Sequence, residues 1–238
     1  MTPLLEIRDL AKTYRIPGKS GTKPGQLKAV AGVSLQIAPG ETLGLVGESG
    51  CGKSTLGKLI LGLTPADRGE VLYRGTDLAR LSARQIRPYR RQIQMIFQDP
   101  FSSLNPRMTV GETLAEPLII HRLCAATERQ KRVAQLLDQV GLEAAAANRY
   151  PHEFSGGQCQ RIGIARALIL QPRMVICDEP VSALDVSVQA QIIDLLIELQ
   201  EEFSLALIFI AHDLAVVRRL SHRVMVMYGG RVVEKASA

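Results

Sequence analysis

The chain has 238 residues, 46% hydrophobic and 22% charged, with a formal net charge of +6. That balance describes a folded α/β body of about one large domain and excludes disordered, collagen-like and coiled-coil chains. No run approaches the roughly 18 apolar residues of a membrane span, and Glu6, Arg8 and Asp9 interrupt the place where a signal peptide needs an apolar core. A cytosolic chain, at most docked on a membrane, is expected. Cys51, Cys124, Cys159 and Cys177 form no close pair and no cluster at metal-ligand spacing, which fits a reducing compartment. The densest basic stretch, Arg84 to Arg91, holds a single aromatic, Tyr89, in a chain that is only 4% aromatic with no tryptophan, and reads as a solvated charged face.

In chain order, Leu4 to Leu10 alternates as an edge strand should, and Val30 to Ile37 reads as a second strand. Pro17 to Gln26, rich in Gly, Lys and Pro, is expected as a loop between them. Leu43 to Val46 is a short apolar run leading into glycines, and Lys53 to Leu63 turns helical, with Leu56, Leu59, Ile60 and Leu63 on one side. Ile93 to Phe97 is a further strand. From Thr109 to Leu170 the periodicity is mostly helical, with a strong helix from Ser155 to Leu170. Strand-helix alternation then resumes: Met174 to Cys177, helix Val186 to Phe203, Leu205 to Ala211, helix Asp213 to Leu220, Val224 to Tyr228 and Arg231 to Glu234. Strand, glycine loop, helix is the order of a nucleotide-binding unit.

Gly47-Glu-Ser-Gly-Cys-Gly-Lys-Ser54 is a phosphate-loop sequence set between an apolar strand and a helix, the context that motif requires. Glycines let the backbone curl so that N–H groups of Gly47, Glu48, Ser49, Gly50, Cys51 and Gly52 face phosphate. Lys53 reaches the β- and γ-phosphates, Ser54 ligates Mg²⁺, and Thr55 follows in the first helical turn. Met174-Val-Ile-Cys-Asp178-Glu179 is an apolar strand ending in two acids. Asp178 would hold Mg²⁺ through water and Glu179 would polarise the attacking water. Phe154-Ser155-Gly156-Gly157-Gln158 opens a helix with Ser155 as its N-cap, a second place where backbone N–H groups face an anion.

The phosphate loop, Gln98, the Ser-Gly-Gly-Gln signature, Asp178-Glu179, Ser182-Ala-Leu-Asp185 and His212, in that order, resemble an ABC-type ATPase across nearly the whole chain. The resemblance implies an α/β P-loop NTPase (RecA-like) core, about residues 1–100 and 171–238, with an antiparallel β edge. A helical subdomain, about 101–170, is inserted in it. It also implies ATP and Mg²⁺ as ligands and a head-to-tail pair with a second ABC ATPase, identical or sibling, whose γ-phosphate Ser155, Gly156, Gly157 and Gln158 would touch. His212 resembles the histidine that contacts the γ-phosphate and helps Glu179 place water. Gln98 resembles the loop glutamine that senses Mg²⁺ and water, Asp185 the aspartate that communicates across the dimer, and Tyr14 the aromatic that stacks on adenine.

Gln98-Asp-Pro-Phe-Ser-Ser-Leu-Asn-Pro106, Tyr150-Pro-His-Glu-Phe-Ser-Gly-Gly and Asp178-Glu-Pro-Val-Ser-Ala-Leu-Asp-Val-Ser-Val-Gln189 resemble the ATP-binding subunits of bacterial importers for di- and oligopeptides, nickel or glutathione. This second resemblance implies a peripheral subunit on the cytoplasmic side of the inner membrane. It would drive permease subunits through the Phe101 to Arg107 segment and serve a solute-binding protein indirectly, with no nucleic-acid partner. The alternative is a soluble ABC ATPase acting on nucleic acid or ribosomes. Cys159 stands where such ATPases commonly carry arginine, a change expected to touch only a surface contact. Cys51 occupies a variable loop position, where a bulky thiol adduct is expected to block ATP.

Overall fold

The computed structural model describes residues 2–16 and 25–237, which fall into two units. One holds the chain up to Arg90 together with Ala206 onward; the other is Arg91–Leu205.

In the first unit, β1 (Leu5–Ile16) pairs antiparallel with β2 (Gly25–Ile37), placing Leu5 opposite Ile37, Ile7 opposite Leu35 and Tyr14 opposite Leu27. The expected loop therefore already gives way to strand at Gly25 and Gln26; its residues 17–24 lie outside the described ones. β3 (Thr42–Val46) leads through the glycine loop into α1 (Lys53–Ile60). β4 (Arg68–Tyr73) and the short β5 (Thr76–Asp77) complete an antiparallel sheet in the order β2-β1-β4-β5. The expectation of an edge strand at Leu4 to Leu10 is corrected here, because β4 covers the far side of β1. Arg68-Gly-Glu-Val-Leu-Tyr is too short and too charged to announce that strand. Leu5, Ile7 and Leu10 are fully buried, and a bulge at Asp9, with φ of 44°, shifts the phase so that Leu10 still points inward. α2 (Ala83–Gln92) forms despite Pro88. It buries Ile86 and leaves Arg84, Arg87, Arg90 and Arg91 exposed.

The second unit begins with β6 (Ile93–Ile96), followed by α3 (Val110–Ile120), α4 (Ala126–Gln139) and α5 (Gly156–Leu168). Thr109 and Glu112 cap α3 reciprocally, and Ser155 and Gln158 do the same for α5. The three helices close around Val110, Leu114, Leu118, Val133, Leu136, Leu137 and Ile162, each nearly or fully buried. Each such side chain stabilises the unit by about 1.5–3 kcal/mol. β7 (Met174–Asp178) pairs in parallel with β6, and all its residues are buried, as in a parallel strand covered on both faces. α6 (Val186–Phe203) follows it and ends at Ser204 in a left-handed turn.

The chain then returns to the first unit. β8 (Ala206–Ala211), α7 (Leu214–Leu220), β9 (Arg223–Tyr228) and β10 (Arg231–Ser237) follow. Here β3 lies between β8 and β9, parallel to both, and β10 is antiparallel to β9. The apolar runs of β3 and β8 are buried from end to end apart from the half-buried Val46.

Candidate functional site

The first unit carries the phosphate loop. Gly52, the residue before α1, has φ of 111°, and a Cβ there would drive into the carbonyl oxygen of Ala29 on β2. Only glycine lets the loop approach β2 that closely. Gly230 N–H donates to the Cys51 carbonyl at 3.0 Å, and Ala31 N–H to the Gly230 carbonyl at 2.8 Å, so the β9–β10 turn and β2 pin the loop from outside. Lys53 is 3% exposed, and its Nζ donates to the carbonyls of Gly47 at 2.7 Å and Glu48 at 3.0 Å. α1 has no acidic residue in its first turn and no side-chain cap, which leaves its positive end to serve an anion. Ser54 and Thr55 are half-buried in that first turn; Glu48, Ser49 and Gly50 are exposed. Cys51 is buried, its Sγ 3.9 Å from Lys53 Nζ, so a thiol reagent meets a closed loop.

His212 is exposed just past β8. Since Val46 pairs with Ala211, the next residues, Gly47 and His212, leave neighbouring strands at the same end. The Asp213 side chain caps α7 by accepting from Ala215 N–H at 2.8 Å. Tyr14, 37% exposed, projects from the end of β1 that lies beyond its pairing with β4. Lys12 Nζ lies 5.7 Å from its ring centroid and donates to Asp67 Oδ1 at 2.8 Å. Asp67 also accepts from Thr13 N–H at 2.6 Å, while its own N–H donates to the Ala11 carbonyl at 2.9 Å. The Lys12 ammonium, and then the Thr13 N–H, hold the Asp67 carboxyl below the usual aspartate range. Lys12 and Asp67 have no motif signal: far apart in sequence, they meet only through the fold.

The second unit carries the acids. Asp178 ends β7 with 6% exposure, and Glu179 follows with φ of 47°, a left-handed conformation that costs a side-chain-bearing residue about 1–2 kcal/mol. Burial, and then the charge of Asp178, push the Cys177 thiol up to about 12. Gln98 Nε2 donates to Glu179 Oε2 at 3.2 Å and to Ser182 Oγ at 3.5 Å, and Ser182 Oγ donates to the Glu179 carbonyl at 3.1 Å. Gln98, Glu179 and Ser182 thus form one polar cluster. Among them, Ser182 is a site residue that motif spacing left without a role, because its bonds to Gln98 and the Glu179 carbonyl form only in the folded chain.

Ser155 and Gln158 are tied to each other by their capping bonds, at 3.3 Å and 3.0 Å, and the half-buried Gly156 and Gly157 form the first positions of α5. A Cβ on Gly157 would lie 2.5 Å from Val188 Cγ1, so close packing against α6 demands glycine there. Asp185 is exposed at the N-terminus of α6. Cys159 corrects an expectation: it is fully buried and not at the surface, its Sγ donating to the Pro151 carbonyl at 3.4 Å. Burial raises its thiol to about 11. Phe101 is half exposed beside a cavity of about 430 Å³ lined by Ser102, Asn105, Met108, Glu116 and Arg166 among others. No described helix is long and apolar enough to cross a membrane.

Residues 30–182 match the family described as ABC transporter. The oligopeptide transport ATP-binding protein OppF of Haemophilus influenzae is 57% identical over 98% of this chain and 72% of its own length. The oligopeptide transport ATP-binding protein AppF of Bacillus subtilis is 54% identical over 97% of this chain and 71% of its own. The fold is similar to that of the ATP-binding cassette MJ0796, solved as a dimer in a post-hydrolysis state bound to ADP and Pi. The TM-score is 0.87, with 32% identity over 98% of both chains. A family match of that extent, joined to relatives so similar over so much of their length, means that the chain belongs to the ABC transporter family.

Proposed function

We propose that this chain is the ATP-hydrolysing, energy-coupling subunit of an ABC importer for di- or oligopeptides. The observation that carries the hydrolytic half is Glu179, a carboxylate in a strained turn at the end of β7 and held by the amide of Gln98. Strain of this kind persists where surrounding bonds over-determine it, and it places one carboxylate oxygen for a single task. The transport half is supported by the 57% identity to an oligopeptide transport subunit.

Phosphates of ATP take N–H groups of the loop from Gly47 to Gly52, other than that of Cys51, which donates to the Glu48 carbonyl at 3.2 Å, and the positive end of α1, with Lys53 turning its ammonium to the β- and γ-phosphates. Tyr14 stacks on the base. Glu179 accepts a proton from the attacking water, Gln98 orients that water, and His212 contacts the γ-phosphate. Ser54, Gln98 and Asp178 offer a hydroxyl, an amide and a carboxylate, an all-oxygen donor set that suits a hard dication such as Mg²⁺. When bound, Mg²⁺ neutralises charge developing on the phosphates.

In a head-to-tail dimer, Ser155, Gly156, Gly157 and Gln158 present the start of α5 to the other subunit's nucleotide, and Asp185 senses the partner. The exposed Phe101 and the adjoining cavity receive a cytoplasmic segment of the permease, which keeps the subunit at the cytoplasmic membrane face. A soluble role on nucleic acid or ribosomes is not favoured, since the relatives are named as transport subunits. The test is purification of the Glu179→Gln variant with ATP and Mg²⁺ from mildly solubilised membranes of the host. Mass spectrometry is expected to find multi-span permease subunits and a second ABC ATPase; ribosomes or nucleic acid without membrane proteins would overturn the transport reading.

A further inference from the structure

The base end of the nucleotide site rests on residues that no motif marks. Tyr14 sits near the end of β1, past its last pairing with β4 at Ala11 and Arg68, and the register with β2 slips between Lys12 and Thr13 by one extra β2 residue, Ala29. β4 begins at Arg68 and so pairs with β1 no further than Ala11, and the β1 backbone beyond that point needs another acceptor on the same side. Asp67 provides it: its carboxylate takes the Thr13 N–H at 2.6 Å while its own N–H closes on the Ala11 carbonyl at 2.9 Å. The same carboxylate holds Lys12 Nζ at 2.8 Å, and that ammonium lies 5.7 Å from the Tyr14 ring centroid, within cation–π range. The Lys12 side chain is only 13% exposed, so its charge is held in one place.

The platform is also tied to the phosphate loop. Tyr14 pairs with Leu27, and Ala29, two positions along β2, is the residue whose carbonyl Gly52 packs against. That separation is about 6–7 Å along a strand, so the aromatic ring and the phosphate-binding backbone share one rigid element.

From this we infer that Asp67 and Lys12 are positioning residues for nucleotide binding: Asp67 fixes the end of β1 beyond β4 and Lys12 against it, and together they hold the Tyr14 ring with one face toward a cation and the other toward a purine. The inference rests on the proposed stacking of ATP on Tyr14. Its chemistry is specific to the base, because neither residue contributes to the phosphate loop itself.

The test compares ATP with inorganic tripolyphosphate, which has the phosphates and no base, by calorimetric titration of the full chain and of Asp67→Asn, Lys12→Gln, Tyr14→Ala and the Asp67→Asn/Tyr14→Ala double variant. ATP affinity is expected to fall about 5–10-fold in Tyr14→Ala and about 3–10-fold in Asp67→Asn, as for loss of a stacking contact. Tripolyphosphate affinity should stay constant, and the double variant should bind ATP as Tyr14→Ala does. Lys12→Gln keeps the Asp67 to Thr13 bond and provides a milder version if Asp67→Asn folds poorly; a twofold to fivefold loss for ATP alone is expected. Unchanged ATP affinity in Tyr14→Ala removes the stacking reading and this inference with it. A loss in Tyr14→Ala, with Asp67→Asn and Lys12→Gln both silent, overturns only the positioning roles. So does an equal loss for tripolyphosphate, or a further loss in the double variant.

Discussion

Replacing Glu179 by Gln keeps side-chain length, the left-handed turn and an oxygen for the Gln98 amide, whose Nε2 lies 3.2 Å away. What disappears is the capacity to take a proton. General-base catalysis supplies about 10²–10⁴-fold, or roughly 3–5 kcal/mol of barrier at 1.36 kcal/mol per decade. The change also turns a charge-assisted hydrogen bond into a neutral one, a difference of no more than about 1 kcal/mol at this partly exposed position, which shifts Tm by roughly 2–4 °C for a chain of this size. Chemistry and stability therefore separate cleanly. Steady-state phosphate release should fall at least about 100-fold with KM for ATP within a few-fold of wild type, and a thermal melt should move only slightly. Size-exclusion chromatography with ATP should show an accumulated dimer. A turnover number within a few-fold of wild type would remove Glu179 from the proton-accepting role, and a large Tm loss would show that the substitution had broken the turn instead.

Ser182→Ala withdraws the hydroxyl shared by Gln98 and the Glu179 carbonyl. It should lower kcat by about 3–10-fold with KM unchanged and with partial recovery in Ser182→Thr, in keeping with one lost neutral hydrogen bond; unchanged kcat in a folded variant refutes it. Gly52→Ala forces a Cβ into the Ala29 carbonyl at a φ of 111° and should abolish ATP binding or folding; wild-type affinity in calorimetry would contradict the packing. Among the cysteines, the half-buried Cys124 should react first with a small disulfide reagent at about pH 8, which is far below the thiol values of about 11 and about 12 of buried Cys159 and Cys177. Mass mapping that finds Cys159 or Cys177 modified first in the native protein would oppose it. Asp67 is held below its unfolded value, so its bonds with Lys12 and Thr13 contribute stability above about pH 4 that is lost as pH falls through the folded pKa. The Tm gap between wild type and Asp67→Asn should accordingly be present at neutral pH and close in acid, and a gap that persists there would refute the assignment.

Local signals carried much of this architecture. The glycine loop, the helix caps at Thr109 and Ser155 and the apolar runs of β3, β7 and β8 each obey a short-range rule, and α6 was legible end to end from its periodicity. What escaped was set by distant partners. β4 is a strand because β1 offers it an edge, and β1 is interior for the same reason; a hexamer beginning Arg-Gly-Glu does not declare that alone. α2 was hidden by Pro88, which lies inside the helix, where proline usually breaks one. At the site, Asp178 and Glu179 stood out as a carboxylate pair, whereas the φ of Glu179 and the bonds of Ser182 and Asp67 exist only once the chain has folded. Cys159 misled because a position next to an exposed capping pair lies, one helical step on, against the interior.

The Lys53 ammonium, seated on the Gly47 and Glu48 carbonyls, ties the loop to the helix that follows it. Here the lysine braces the arc from within, and its departure toward incoming phosphate is a swing of one flexible stem with the backbone left in place. Nucleotide capture should then be a matter of encounter, with no slow opening phase ahead of it. A single exponential in stopped-flow binding, its rate rising linearly with ATP, is the kinetic signature of a receptor that is already built.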